Sequence, residues 1–314
     1  MDKYPLVSLI IISYNQEDYI DDCMKSLLEL TYANLEILYL DDNSPDETFA
    51  RARLYEAKLK ERYVSTCFYE NALNQGLINN LNGLIKQCHG KYIKFMAADD
   101  FLLPESISTM VDFMETHSEY DMIYTNGVRG NENTHFPLQN ERKLSSLYLD
   151  EQPQGNNLFE KLYERDFIAA PTVMIRGEVY KRLGLYDTHI GIEDWEYFLR
   201  IAKQGSIGYL NEATVMYRFT GDSLSHSDAP EKRIIMQKSG LLIQEKYKAD
   251  VQNSIDIITE SYNHAYQDAL HIGNKSYLKF LSEYAERNQI KIAGKNILRY
   301  ILYRLKIFRL LDKR

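Results

Sequence analysis

The chain has 314 residues, of which 45% are hydrophobic and 26% charged, so it can form one large domain with an appendage or two modest domains. The formal net charge of -8 argues against a dedicated nucleic-acid binder, because such proteins gain most of their affinity from a basic surface. The longest apolar run, near Leu6 to Ile12, is too short to cross a bilayer, and three cysteines without metal-ligand spacing indicate reduced thiols, so we expect a cytosolic protein.

The first part of the chain alternates apolar strands with helical patterns, as in a parallel sheet covered by helices. The predicted elements are, in chain order, strand Leu6 to Tyr14, helix Asp18 to Leu30, strand Leu35 to Asp42, helix Pro45 to about Lys60, strand Tyr63 to Tyr69, helix Gly76 to Cys88 and strand Lys91 to Ala97. The sequence therefore predicts an α/β fold with a doubly wound half-sheet, whose last strand delivers Asp99 and Asp100 at its carboxyl end.

The second part follows a stretch without periodicity, Arg129 to Gln154, which we interpret as a long surface loop. Its predicted elements are strand Thr172 to Ile175, helix Glu178 to Leu183, helix Asp194 to Lys203 and strand Ile207 to Arg218. After a polar stretch the pattern is wholly helical to the end of the chain. We therefore place a domain boundary near Ser227, between an α/β domain of residues 1–226 and a helical region of residues 227–314. Within the α/β domain, the two parts cover residues 1–128 and 155–226.

Three polar turns follow the predicted strands, at the edge of an open α/β sheet where ligands bind. They are Ser13-Tyr14-Asn15, Asp41-Asp42-Asn43-Ser44 and Asp99-Asp100. Each turn alone is typical of a solvated loop or a helix cap, but their joint placement favours a ligand site. Paired carboxylates after an apolar strand suit a hard divalent cation, which prefers oxygen ligands and retains waters and substrate phosphates. Redox-cofactor and P-loop proteins are disfavoured, because the chain has neither G-x-G-x-x-G in the first turn nor G-x-x-x-x-G-K-[ST] anywhere.

A further acidic pair, Glu193-Asp194, stands immediately before a helical segment. As a structural feature, Asp194 is an ordinary N-cap at a helix start. As a functional feature, one of the two carboxylates is a general base at the helix mouth, where anions are also stabilised. The residues alone leave both interpretations open.

Three segments together resemble glycosyltransferase family 2, over roughly residues 6 to 226. VSLIIISYNQEDYIDDCMKSLLELTYANLEILYLDDNSPDET is similar to the nucleotide-binding half of that family, and NQGLINNLNGLIKQCHGKYIKFMAADDFLLPE resembles the next segment, which ends in its D-x-D region. TVMIRGEVYKRLGLYD, followed by GIEDWEYFLR, looks like the acceptor half with its E-D motif. The order and spacing of these segments make the resemblance specific.

The resemblance implies a GT-A fold and an inverting glycosyltransferase that uses a nucleotide-sugar donor, with UDP as the commonest donor nucleotide of the family. It implies that Ser13, Tyr14, Asn15 and Asp42 bind the nucleotide, with Tyr14 and Asp42 on the base. Asp99, with Asp100, would hold Mg²⁺ or Mn²⁺ and the diphosphate. Asp194 would be the catalytic base, with Glu193 beside it.

Other positions of the resemblance are less regular. The Tyr217-Arg218 pair resembles a family feature near the active-site lid, and an exposed arginine at a strand end is the alternative. Ala97 stands where the family commonly has the first acid of D-x-D, and Thr220 stands where many members have a histidine. His226 lies further on, as a candidate for metal or phosphate, and a solvated histidine in a polar loop is the alternative. Trp195 is expected to shape the sugar pocket.

The resemblance predicts an enzyme that transfers a sugar to a hydroxyl of a glycan or lipid-linked oligosaccharide, in bacterial surface polysaccharide synthesis. The alternative from another class is a non-catalytic relative that binds sugar nucleotides or glycans. Retention of Asp42, Asp99, Asp100 and Glu193-Asp194 argues against that alternative. A sugar-nucleotide pyrophosphorylase would need a glycine-rich basic loop after the first strand, which this sequence lacks.

The end of the chain has a basic amphipathic pattern. At about 100° per residue, six cationic residues share one narrow face of a helix: Lys291, Lys295, Arg299, Lys306, Arg309 and Lys313. Apolar residues fall opposite them: Ile290, Ile297, Ile301, Leu305, Phe308 and Leu311. Such a helix either lies in the headgroup region of an anionic membrane or docks its apolar stripe on the protein. We favour peripheral association with the inner face of the cell membrane.

Overall fold

The computed structural model describes residues 4–138, 146–148, 152–153, 158–220 and 228–290. The strands among these residues are β1 Val7–Ser13, β2 Leu35–Asp41, β3 Ser65–Glu70, β4 Tyr92–Ala97, β5 Phe101–Leu102, β6 Met122–Asn131, β7 Val173–Arg176 and β8 Ile207–Phe219. The α-helices are α1 Ile20–Glu29, α2 Thr48–Arg53, α3 Glu56–Arg62, α4 Leu77–Ile85, α5 Ser106–Thr116, α6 Leu158–Glu164, α7 Gly177–Leu183, α8 Asp194–Gln204, α9 Pro230–Tyr247, α10 Ser254–Ile272 and α11 Lys275–Asn288.

The strands form one mixed sheet in the order β3-β2-β1-β4-β7-β6-β8-β5. The first four strands of this order are parallel, whereas β7 runs antiparallel to both β4 and β6, and β5 runs antiparallel to β8. Every residue of β1 and β2 is buried, which is typical of parallel strands with helices on both faces. The chain order β1, β2, β3 moves outward on one side of β1, and β4 returns on its other side. The carboxyl ends of β1 and β4 therefore flank the point at which the strand order reverses, called the switch point below. Open α/β sheets bind ligands at this point.

The predicted strands of the first half are present within two residues of their expected bounds, but the predicted helix from Pro45 to Lys60 is two helices, α2 and α3. They are separated at Leu54 and Tyr55, whose amides donate to carbonyl oxygens three residues earlier, in the tight manner of a 3₁₀ turn. The short strand β5, the helices α5 and α6 and the strand β6 were not predicted as elements. In the expected surface loop, β6 continues to Asn131 and Val128 bridges to Ser146.

The chain divides into two compact units, Met1–His189 with Glu193–Gly221, and Ile190–Ile192 with Asp222–Arg314. The first unit contains the sheet. In the second unit, α9, α10 and α11 bury their own apolar core, which includes Leu241, Ile258 and Leu281. Among the described residues no helix is both long enough and apolar enough to cross a membrane. The predicted terminal helix beyond Ile290 lies outside the described residues.

Candidate active site

The turn after β1 is tied to the turn after β2. Ser13 is buried, and its hydroxyl lies 2.7 Å from the Tyr39 hydroxyl and 2.8 Å from Asp41 Oδ2. Asn15 adopts a left-handed conformation with φ of 57°, and its amide donates to Ser44 Oγ at 2.9 Å. The first two polar turns therefore form one framework, in which the Ser13 side chain faces the protein interior.

Tyr14 lies in the same turn with its side chain half exposed. Of the three predicted nucleotide contacts in the first turn, Ser13 is buried, whereas Tyr14 and Asn15 are exposed. An exposed aromatic ring at the carboxyl end of a parallel strand is suited to stacking on a nucleobase.

Asp42 holds the loop that precedes α4. Its carboxylate is buried and accepts hydrogen bonds from the amides of Gln75 and Gly76, each at 2.8 Å, and from Asn71 Nδ2 at 2.7 Å. Gly76 has a φ of 80°, a conformation that glycine adopts without steric cost. Asp42 therefore shapes the loop beside the switch point, a role that the sequence did not indicate.

Asp99 and Asp100 follow β4, as predicted; Asp100 is buried and Asp99 is partly buried. Asp100 Oδ1 accepts the backbone amide of Arg218 at 2.8 Å. Burial raises the pKa of Asp99, although Arg218 and a hydrogen bond from the Gln16 side chain act in the opposite direction. Burial and the neighbouring Asp99 charge raise the pKa of Asp100 well above its ordinary value. The pair is therefore poorly compensated and suited to receive a cation.

Arg218 is fully buried rather than exposed at a strand end. Its guanidinium lies 4.4 Å above the Tyr19 ring, and its Nη2 lies 3.3 Å from Asp22 Oδ2, which also contacts His135 Nδ1 at 2.9 Å. Its Nε and Nη1 have no hydrogen-bond partner within the described part of the chain. A buried arginine with two unused donors is suited to bind an anion such as a diphosphate, since an unpaired buried donor costs about 1–3 kcal/mol.

A resident divalent cation fits these residues. Within the described ranges, no three His, Cys, Asp or Glu side chains converge into a closed metal cage. Two adjacent carboxylates beside unused arginine donors instead suit a metal that keeps waters and substrate phosphates among its ligands. Asp99 and Asp100 would hold Mg²⁺ or Mn²⁺ in such an arrangement.

Glu193 and Asp194 lie at the start of α8. Glu193, and not Asp194, is the residue before the first helical position, and its side chain makes no capping hydrogen bond. The N-cap interpretation of Asp194 is thus wrong in position, because Asp194 already has helical geometry and its Oδ1 accepts the Trp195 amide at 2.7 Å. Burial raises the pKa of Asp194, and burial together with the Asp194 charge raises the pKa of Glu193 to about 8.

Asp166 joins this acidic pair, and the sequence reasoning missed it. Its Oδ1 accepts the Ile168 amide at 3.1 Å. Burial raises the pKa of Asp166 well above its ordinary value, and the charges of Asp194 and Glu193 add to the rise. A lone aspartate in a loop gives no periodic signal, so only the folded chain reveals this third carboxyl group.

Trp195 is held inside the protein. Its indole Nε1 donates to the Leu162 carbonyl at 2.5 Å, and only 9% of the residue is exposed. We therefore assign Trp195 to packing between α8 and α6 rather than to a sugar pocket. His226 lies outside the described residues.

Lys94 was also missed, although a lysine within the apolar strand YIKFMA is an unusual feature of the sequence. Its side chain is fully buried, and its Nζ lies 2.5 Å from the Pro171 carbonyl oxygen and 3.3 Å from that of Val173. Burial lowers the pKa of Lys94 to about 7, against the opposing effect of the Asp100 charge.

Relatives of this chain carry functional names. Its sequence is 27% identical over 228 residues to the putative teichuronic acid biosynthesis glycosyltransferase TuaG of Bacillus subtilis, which covers 70% of this chain and 82% of that protein. It is 35% identical over 115 residues to WfaP of Escherichia coli, named as UDP-Glc:alpha-D-GlcNAc-diphosphoundecaprenol beta-1,3-glucosyltransferase, which covers 37% of this chain and 43% of that protein.

Solved structures share the fold at low sequence identity. TarS of S. aureus, in complex with UDP-GlcNAc, has a TM-score of 0.62 and 18% identity, over 89% of this chain and 80% of that chain. The mannosyltransferase PcManGT of Pyrobaculum calidifontis, in complex with GDP-Man and Mn²⁺, has a TM-score of 0.55 and 15% identity, over 100% of this chain and 89% of that chain.

The mixed sheet with helices on its faces and the likeness to TarS define an α/β protein with a GT-A fold. The sequence profile described as glycosyl transferase family 2 matches residues 8–184, more than half of the chain. The chain belongs to glycosyl transferase family 2. It is therefore a glycosyltransferase, as the resemblance implied, and the non-catalytic alternative is not supported.

Proposed function

We propose that this glycosyltransferase moves a sugar from a nucleoside diphosphate sugar, with UDP as the nucleotide, to a hydroxyl of a glycan or lipid-linked oligosaccharide. The reaction inverts the anomeric centre and serves bacterial surface polysaccharide synthesis. The observation that carries the donor class is the combination at the switch point of Asp99 and Asp100 with the buried, partly unpaired Arg218. WfaP is named for a UDP-sugar donor and a diphosphoundecaprenol acceptor, and TarS was solved with UDP-GlcNAc, which supports the choice of UDP.

The donor would lie along the carboxyl ends of β1 and β4. The half-exposed Tyr14 ring would stack on the base, and the loop anchored by Asp42 would border the nucleoside. The unused Nε and Nη1 donors of Arg218 would bind diphosphate oxygens. A divalent cation held by Asp99 and Asp100, when bound, neutralises negative charge that develops on the leaving diphosphate, and PcManGT was solved with Mn²⁺.

Asp194 would act as the general base. Because its Oδ1 accepts the Trp195 amide, Oδ2 is the atom that takes the proton of the acceptor hydroxyl. The acceptor oxygen then bonds to the anomeric carbon from the face opposite the leaving group. The bond from that carbon to the phosphate oxygen breaks, and its electron pair leaves with the nucleoside diphosphate. One base and an in-line displacement give inversion without a covalent sugar-enzyme intermediate.

The raised pKa of Glu193, about 8, gives Glu193 a different chemical role from that of Asp194. At neutral pH Glu193 keeps its proton, so the pair carries one negative charge rather than two. That charge then resides on Asp194, whose side chain the helix amide stabilises. Two adjacent carboxyl groups would thereby share one negative charge at neutral pH, as a single general base requires.

The test combines a donor screen with two variants. Purified protein is incubated with UDP-, GDP- and dTDP-sugars, Mn²⁺ and lipid-linked oligosaccharides, and the products are identified by mass. Asp194→Asn should lower transfer by ~10²–10⁴-fold and leave the Mn²⁺-dependent thermal stabilisation by UDP intact. Asp99→Asn should weaken both transfer and that stabilisation. Wild-type transfer rates in Asp194→Asn would refute the base assignment, and stabilisation by UDP without turnover on any acceptor would refute the proposed reaction.

A further inference from the structure

Lys94 is the only fully buried lysine among the described residues. It lies in the middle of β4, between Ile93 and Phe95, and its side chain enters the protein on the same side of the sheet as Met96. Placing an ammonium group in such a region is unfavourable unless its N–H groups find acceptors. The two acceptors that it finds are main-chain carbonyl oxygens, of Pro171 and Val173.

These carbonyl groups belong to a stretch where the sheet is incompletely paired. The antiparallel ladder between β4 and β7 has two residue pairs, Tyr92 with Arg176 and Ile93 with Ile175. Continuation of the same register would place Lys94 opposite Met174, but the ladder ends at Ile93. Beyond Ile93, the Lys94 side chain rather than a backbone amide of β4 donates to β7 and to the turn that precedes it.

The stretch that Lys94 holds also borders the acidic pair. Ala170 begins a 3₁₀ turn that leads into β7 at Val173. Ala170 and Val173 line a small cavity of about 20 Å³ whose wall includes Glu193 and Asp194. The carboxyl end of β4 leads to Asp99 and Asp100. One side chain therefore connects the strand of the carboxylate pair to the segment that borders Asp194.

We propose that Lys94 is a positioning residue that fixes residues 170–173 against β4 and thereby sets the geometry of the Asp194 cavity relative to the strand that carries Asp99 and Asp100. The proposal rests on the proposed role of Asp194 as the base. An amine retains N–H donors with or without its extra proton, so the tether persists in either protonation state. A displacement of about 1 Å at a base lowers the rate by as much as ~10²-fold, which makes such a tether relevant to turnover.

The test compares Lys94→Met, which has a similar length and no donor, with Leu59→Ala, a substitution of a buried residue in α3. Hydrogen-deuterium exchange of the full chain should become at least ~3-fold faster in the peptide spanning residues 169–176 of Lys94→Met and remain unchanged in β1 and β2. In Leu59→Ala, exchange in residues 169–176 should remain at the wild-type rate once global stability is matched by urea.

The kinetic readout separates positioning from general destabilisation. Lys94→Met should lower kcat for transfer by ~10–100-fold while the KM for the donor stays within about twofold, whereas Leu59→Ala should retain both constants. Wild-type exchange in residues 169–176, or equal kinetic losses in the two variants, would overturn the proposal. If Lys94→Met does not fold, Lys94→Gln, with a shorter donor, is held to the same criteria. Hydrogen-deuterium exchange does not require turnover. A wrong assignment of Lys94 can therefore be distinguished from an absence of sugar transfer in the wild type.

Discussion

Glu193 and Asp194 are neighbouring carboxylic acids, and each is partly buried. Burial opposes ionisation of both, and the charge on Asp194 further raises the pKa of Glu193 to about 8, from an ordinary value of 4.5. In the unfolded chain Glu193 loses its proton near pH 4.5, whereas in the folded protein it keeps the proton until about pH 8. The folded state thus binds more protons than the unfolded state between these two values.

This difference predicts how stability changes with pH. Because the native state holds the extra proton, the free energy of unfolding should fall as pH rises from about 5 to 8, by on the order of 1 kcal/mol per pH unit from Glu193. Glu193→Gln should remove that part of the slope. Urea unfolding at pH 5, 6, 7 and 8 measures it, with Glu178→Gln, an exposed position in α7, as the control. Parallel pH profiles of Glu193→Gln and wild type would contradict the raised pKa.

At the scale of the element, Arg176 joins the end of β7 to the end of α5. Its Nη2 donates to the carbonyl oxygens of Met114 at 2.8 Å and His117 at 3.2 Å, and its Nε donates to that of Tyr120 at 2.7 Å. Its Nη1 donates to the Tyr92 hydroxyl at 3.2 Å. The last carbonyl groups of a helix have no partner within the helix, so one planar guanidinium satisfies a helix end and the turn after it.

Replacement of this arginine should therefore destabilise the fold. Arg176→Met should lower the free energy of unfolding by ~3 kcal/mol, because several buried carbonyl groups lose a charged donor at once. Arg176→Lys should recover less than half of that loss, since an ammonium cannot reproduce the planar fork. Both are measured by urea unfolding. Arg182→Met is the matched control, because Arg182 makes an exposed ion pair with Asp121 that contributes at most ~1 kcal/mol. Equal losses at positions 176 and 182 would disprove this assignment.

At the scale of the molecule, charge is unevenly distributed along the chain. The whole sequence has a formal net charge of -8, yet Asp312 is the only acid after Ile290, where six cationic residues recur at helical spacing. This segment lies outside the described residues, so its amphipathic character is a prediction from the sequence. A basic helix of this kind is attracted to anionic headgroups by about 1 kcal/mol per lysine or arginine near the surface.

The full chain should consequently sediment with anionic liposomes at low salt and be released as the salt concentration rises, because salt screens charges at the surface. Sedimentation at several salt concentrations measures this dependence, and neutral liposomes provide the control for hydrophobic adsorption. A chain that ends before Lys291 should remain in the supernatant. Equal sedimentation of the two chains would show that the terminal segment does not carry membrane association.

The sequence by itself determined the features that depend on neighbours along the chain. The apolar runs of β1, β2 and β4 are short-range patterns, and so are the turns that follow them, which is why Asp99 and Asp100 were expected at a strand end and are found there. The start of α8 at Asp194 was likewise predicted, although the N-cap is Glu193 rather than Asp194. Family resemblance, rather than periodicity, supplied the roles of these residues.

Only the tertiary structure decided which distant residues meet. Arg218 contacts Asp100 across 118 positions and Asp22 across 196, and nothing in its local sequence distinguishes it from an exposed arginine at a strand end. The approach of Asp166 to Asp194, and of Lys94 to Pro171, depends on the strand order β4-β7-β6, including the antiparallel entry of β7. Periodicity records which face of an element is buried, whereas the partner of that face is set by the packing of the whole sheet.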